Sequence, residues 1–183
     1  HIGLATPEGV IQDVEAGGGL RIVAGNTGRL THFLIAQKKH RRIEDLRGGV
    51  IGVASPDEGT AFVVQEILAA HGLRYPDDYS LAPVGGAPAR WDALREGRID
   101  AGLQSIPLNY MAEDAGFPSL GDAAAYVPAY QFTTVNSHAA WAGAHGEELV
   151  RFLTALLLGT RWMYDSRDAA VALTAEEMEL PRD

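Results

Sequence analysis

The stretch DLRGGVIGVASPDEGTAFVVQEILAAHG, residues 45–72, decides how the chain is read. Val50 to Ala54 is a short apolar run, the signature of a buried strand, and it ends in the turn-rich segment Ser55-Pro56-Asp57-Glu58-Gly59-Thr60. From Thr60 to His71 the apolar positions Ala61, Val64, Ile67 and Leu68 recur at helical spacing, and Gly72 supplies a terminator. Downstream the alternation repeats. Tyr79 to Val84 reads as a strand, Gly85-Gly86 as a turn, and Pro88 to Glu96 as a helix closed by Gly97. Ile99 to Leu103 is a third strand and Pro107 to Ala115 a third helix. The order β-α-β-α-β-α over 46–116 predicts a parallel sheet covered by helices.

Upstream, Ile2 to Ala5 reads as a buried strand that runs straight into a helix start. Thr6 can cap, Pro7 suits the first helical position, and Glu8 favours the helix dipole. Gly17-Gly18-Gly19 ends that helix, Leu20 to Ala24 is a strand, Gly25 to Arg29 a loop, and Thr31 to Ala36 another strand. With no residues leading into the first strand, an N-terminal portion is expected to precede residue 1. The basic run Lys38 to Arg42 is followed at once by Glu44 and Asp45 and reads as a solvated linker. After Phe117-Pro118 the pattern changes. Ser119 to Pro128 is mixed, Tyr130 to Val135 alternates like a strand, and the rest is helical, with long (147–164) and short (168–177) segments. The apolar run Phe152 to Gly159 falls short of the roughly 20 residues that span a bilayer and fits a buried helix, with Trp162 packed on Phe152 and Leu158.

Composition narrows the function. Among 183 residues, 24 are acidic and 15 basic, a net charge of −9, which argues against nucleic acid as a partner. The chain has no cysteine, which excludes disulfides, thiol catalysis and thiolate metal sites. Its six histidines are scattered without metal-ligand spacing, so no metal is expected. Neither a Walker loop, a dinucleotide fingerprint nor a Gly-x-Ser-x-Gly elbow is present, so no cofactor is expected.

Candidate binding residues come from fold logic. In an open α/β sheet, ligands bind beyond the carboxyl ends of strands, where helix N-termini point their free N–H groups. Two strand-to-helix turns fit: the one at Thr6, and the one holding Ser55, Asp57, Glu58, Gly59 and Thr60. Gly59 lets a ligand approach backbone, and the Ser55 and Thr60 hydroxyls can bond it; ordinary helix capping is the alternative for both turns. Arg29, in the loop with Asn26 and Thr27, is the cation placed nearest a cleft, where its fork would match a carboxylate or sulfonate. The alternative there is a surface arginine. Gln104 and Ser105 close the third strand and could orient a ligand or simply cap the helix at Pro107. Arg90 is the other candidate cleft cation.

The segment Ile43 to Val53 resembles the "DLKGKKIGV" start of the second lobe in periplasmic solute-binding proteins of type II topology. The likeness continues through Ser55 to Thr60, Trp91 to Ala101 and Gln104 to Pro107, and Ile2 to Gly9 is similar to that family's "DIGLATPEG". It is the branch that captures nitrate, sulfonates, taurine, aromatic acids and thiamine-pyrimidine precursors for ABC transporters. The resemblance implies an α/β clamp with two three-layer lobes, 1–44 plus 123–183 and 45–122, incomplete at its N-terminus because a leading strand and helix of the family are not found. It implies a pocket lined by Thr6, Asn26 to Arg29, Asp57 to Thr60, Gly85-Gly86 and Gln104-Ser105. It also implies a periplasmic or lipid-anchored extracellular monomer that delivers a small polar or anionic solute to an ABC transporter permease, without catalysis or membrane insertion. An enzyme on the same fold, acting on a small aromatic or pyrimidine substrate, and a ligand-sensing domain of a regulator are the alternatives.

Overall fold

The computed structural model describes residues 1–177. Two sheets organise it. The larger holds β3 (His32–Ala36), β4 (Val50–Val53), β5 (Ser80–Pro83), β6 (Ala101–Ser105) and β7 (Ser119–Asp122) in the order β5-β4-β6-β3-β7. The smaller holds β1 (Ile2–Ala5), β8 (Thr133–His138) and β2 (Leu20–Thr27) in the order β1-β8-β2.

The repeated strand-helix pattern builds the large sheet. β4 pairs parallel with β5 and β6, and the crossovers are α2 (Gly59–Ala70) and α3 (Ala87–Arg95). α2 ends where Gly72 takes a left-handed φ of +73°, which favours glycine. Its stripe, Val63, Val64, Ile67 and Leu68, buries with Leu34, Ile51, Leu103 and α5 (Ala123–Tyr126) on one sheet face. On the other face α3 and α4 (Leu108–Asp114) pack Trp91, Leu94 and Ala112 against Phe33, Ile35 and Ile99. The unit is therefore three layers, helix-sheet-helix. Each fully buried leucine or isoleucine contributes about 1.5–3 kcal/mol.

Two sequence expectations change here, for β3 and for β1. β3, drawn with the first lobe, pairs antiparallel with β6 and β7 inside the large sheet, so the chain crosses between sheets near 28–31 and not at the expected boundary after residue 44. The small sheet contains no parallel pair, because β8 returns from the other sheet and inserts between β1 and β2, antiparallel to both. β1 is not buried: it is an edge strand among the described residues, with Leu4 51% exposed.

α1 (Pro7–Glu15) connects β1 to β2, and α6 (Ala139–Ala144), α7 (Gly146–Asp165) and α8 (Arg167–Glu177) close the described chain. α7 was expected to be buried, yet no residue of it is, since it packs chiefly on α6 and α8. Leu158 and Trp162 are exposed accordingly. The part of the expected first lobe at 178–183 lies outside the described residues. No described helix is long and apolar enough to cross a membrane.

The basic run is more than a solvated linker. Asp100 accepts from Lys39 Nζ at 2.8 Å, His40 Nε2 at 3.1 Å and the Val50 amide at 3.0 Å. Burial alone would raise its pKa. The bonds from Lys39, Val50 and His40 outweigh that and bring it to about 2. A carboxylate lowered in the fold stabilises above its unfolded value, near 4, and that contribution disappears as pH falls toward 2. Asp100→Asn should therefore cost about 1–2 kcal/mol at neutral pH. Urea midpoints of variant and parent should converge between pH 4 and pH 2; a gap that persists at pH 2 would show another origin.

Candidate functional site

At one edge of the large sheet, the C-terminal ends of β4, β5 and β6 meet the start of β3, where His32 lies opposite Ser105. α2 and α3 both begin at this edge. The connector from α5 to β8 and the first turn of α1 close over it from the small sheet, so the edge becomes a seam between the two units.

The seam is tightest at Gly59. A Cβ built there would lie 2.4 Å from the Tyr130 hydroxyl and 2.5 Å from Glu8 Oε1, so the missing side chain is what admits both groups. Tyr130 donates to Glu8 Oε1, and burial, the bond to Glu8 and the charges of Glu8 and Glu58 all raise its pKa. Glu8 Oε2 is buried without a partner. The first N–H groups of a helix have no intrahelical acceptor, and the Glu8 carboxylate, whose bond is to Tyr130, stands beside the start of α2 at Gly59.

Two residues beyond Tyr130 along the connector, the ring of Phe132 meets His32 edge-on at 4.9 Å. His32 is 4% exposed and its Nδ1 has no partner. Burial first, and then the Arg90 charge, lower its pKa to about 4, so the ring is neutral at physiological pH. Arg90 is itself 3% exposed. Its Nε donates to the Leu103 carbonyl at 2.9 Å and Nη1 to the Gly85 carbonyl at 3.2 Å. Burial lowers its pKa, against the opposing pull of Glu58.

The structure gathers some of the sequence candidates and disperses others. The 55–60 turn faces the seam. Glu58 is the extended N-cap of α2 and accepts from the Thr60 hydroxyl, Ser55 Oγ accepts from the Asp57 amide at 3.5 Å, and Asp57 itself is exposed. Thr6, two residues from Glu8, is the N-cap of α1 without a side-chain capping bond. It also lines an open apolar groove of about 450 Å³ with Ile2, Val10 and Leu20 on the small sheet, away from the seam. Gln104 is fully buried; its amide donates to the Ala87 carbonyl at 3.0 Å and accepts from the Trp91 amide at 3.1 Å, fixing the first turn of α3 after its N-cap Gly86. It serves α3, not the helix at Pro107 and not an open cleft. Ser105 is half-buried beside His32.

Asn26 and Thr27, expected in a loop, end β2, and with Arg29 they bond to protein groups far along the chain. Asn26 Nδ2 and the Thr27 amide both donate to Thr133 Oγ1, at 3.1 and 3.2 Å. Arg29 pairs with Asp122 at 3.3 Å with its side chain 71% exposed, so it is not a free cleft cation here. Such a pair contributes about 0–1 kcal/mol. Arg29→Ala should shift the urea midpoint by no more than that; a larger shift would mean the pair is organised more tightly than its exposure implies.

Glu8 and His32 did not stand out in sequence as ligand-binding residues, and Tyr130 only as one of several aromatics that could stack on a ligand or lie in the core. Their signal is positional: Glu8 reads as a dipole partner of α1, and only the folded chain brings its carboxylate beside Gly59 at the start of α2. Among the described residues no three His, Asp or Glu side chains gather as metal ligands. The other polar relay, Glu44 to His71 to Tyr126 at 2.9 and 2.8 Å, sits at the far end of α2 and ties it to α5.

A family model described as NMT1/THI5 like matches residues 1–170. The alkanesulfonate-binding protein SsuA from Xanthomonas axonopodis pv. citri, bound to MOPS, superposes with a TM-score of 0.84 at 19% identity, over 99% of this chain and 62% of that one. The periplasmic aliphatic sulphonate binding protein SsuA from Escherichia coli gives 0.78 at 18% identity, again over 99% and 62%. The desulfurization enzyme DSZB gives 0.69 at 14% identity, over 99% and 67%. A search of curated proteins finds no significant match. The fold is thus that of periplasmic binding proteins, and the chain spans 62% of the length of the two sulfonate-binding structures.

Proposed function

The chain belongs to the NMT1/THI5-like family, and from that premise we propose that it captures a small polar organic solute at the seam between its two sheets. It hands the solute to the permease of an ABC importer, working in the periplasm or anchored outside the cell. The observation that carries this reading is the meeting of two helix starts, α1 and α2, over the carboxyl ends of parallel strands, with buried polar atoms left unpaired there. Sulfonate, carboxylate and pyrimidine-like solutes are the classes to test, the first because of what the similar binding proteins are named for.

Capture requires the seam to open and close on its solute, as in hinge-closing binding proteins generally. Native mass spectrometry of freshly purified protein should show a co-purified small molecule that leaves on denaturation. A bare mass in every preparation, with no thermal shift across the three classes, would count against capture.

The enzyme DSZB shares the fold, so a catalytic reading is the second one. Cysteine is absent, and the neutral His32 has no hydroxyl bonded to it among the described residues. A nucleophile needs a base within hydrogen-bond reach. The seam is built for holding rather than for attack.

A further inference from the structure

Resting on the solute-capture reading, we propose that Glu8 sets the charge selectivity of the seam, so that the solute it holds presents nitrogen-bound hydrogens, as a small organic amine does, to Glu8 Oε2 and His32 Nδ1.

Four observations converge on this. A carboxylate of the chain, Glu8, already stands beside the start of α2, within 2.5 Å of where a Gly59 Cβ would lie. A second carboxylate, Glu58, acts on the same Tyr130. The two arginines that could balance a solute anion are committed elsewhere, Arg29 to Asp122 and Arg90 to the Leu103 and Gly85 carbonyls. Glu8, Glu58 and the buried Arg90 leave the seam with a net negative charge.

The last observation concerns the unpaired atoms. Glu8 Oε2 accepts only, and the neutral His32 ring has one accepting nitrogen; both atoms are buried and lack donors. Buried acceptors are almost always paired, so these two define what is missing: N–H groups. An anion would bring further acceptors to a place that has too many. The Phe132 ring packs on His32 and the Tyr130 hydroxyl on Glu8, and aromatic rings attract ammonium groups.

Propylammonium and propanesulfonate match in size and differ in charge, which makes them the probes, with 3-aminopropanesulfonate carrying both groups. Titrated into the intact protein by calorimetry, propylammonium is expected to bind at least tenfold more tightly than propanesulfonate, and Glu8→Gln to lose most of that preference. The wild-type ranking alone tests the idea should the variant fold poorly. Tighter binding of propanesulfonate by the wild type, or a preference that Glu8→Gln leaves intact, overturns the charge assignment while solute capture stands. Silence of both proteins toward all three probes overturns the charge assignment, while solute capture is judged separately by the native mass.

Discussion

Replacing Arg90 with leucine should destabilise the protein by about 3 kcal/mol or more. The guanidinium is 3% exposed, and it holds the Leu103 carbonyl through Nε and the Gly85 carbonyl through Nη1. Leucine fills part of the volume but leaves both carbonyls without a donor, at about 1–3 kcal/mol each. It also removes the positive charge that Glu58 faces. Leu103 belongs to β6 and Gly85 to the turn before α3, so the arginine clamps two parts of the sheet edge on which His32 sits. Urea denaturation of the variant checks this directly. A loss below 1 kcal/mol would mean that the edge holds its shape without the clamp.

The second large effect is expected at Gly59. A valine there places its Cβ within 2.5 Å of the Tyr130 hydroxyl and Glu8 Oε1, closer than nonbonded atoms approach. The seam must part, at about 1–3 kcal/mol for the overpacking, and any solute response of the closed protein should vanish with it. Because the obstructing atoms are side-chain ends, Glu8→Ala in the Gly59→Val background should recover part of the stability, a coupling that a double-mutant cycle measures. Strict additivity of the two changes would place the strain elsewhere.

The alternation of strands and helices over 46–116 was legible because each element carries its own signal: apolar runs for β4 and β6, a helical stripe and Gly72 for α2. What the pattern could not tell was which sheet a strand joins. β3 has the same apolar character whichever unit it serves, and only its register with Leu103 and Gly102 of β6 settles the matter. The burial of α7 failed for a related reason. An amphipathic face states that a helix seeks a partner without stating that one is at hand, and among the described residues α7 finds little beyond α6 and α8.

The candidate site was half visible. Glycine in a strand-to-helix turn at residue 59 is a local cue, and it led to the seam. The residues that give the seam its chemistry, Glu8, His32 and Tyr130, come from three distant stretches; Glu8 and His32 look ordinary in their own surroundings, and Tyr130 is one aromatic among several. Arg29 shows the converse. A loop position after Gly28 suggested freedom to reach a ligand, but its charge meets Asp122, a partner 93 residues away that no local pattern announces.

The insertion of β8 between β1 and β2 has a bearing on synthesis. Both outer strands take their ladder from a segment that begins at Thr133, more than a hundred residues after β2 ends. On the ribosome the large sheet, contained within 32–122, can assemble while residues 1–27 still wait for that ladder. Non-local pairing of this kind slows folding and leaves strand edges open meanwhile. The seam, which needs Glu8 from the waiting segment, is therefore among the last parts of the molecule to form.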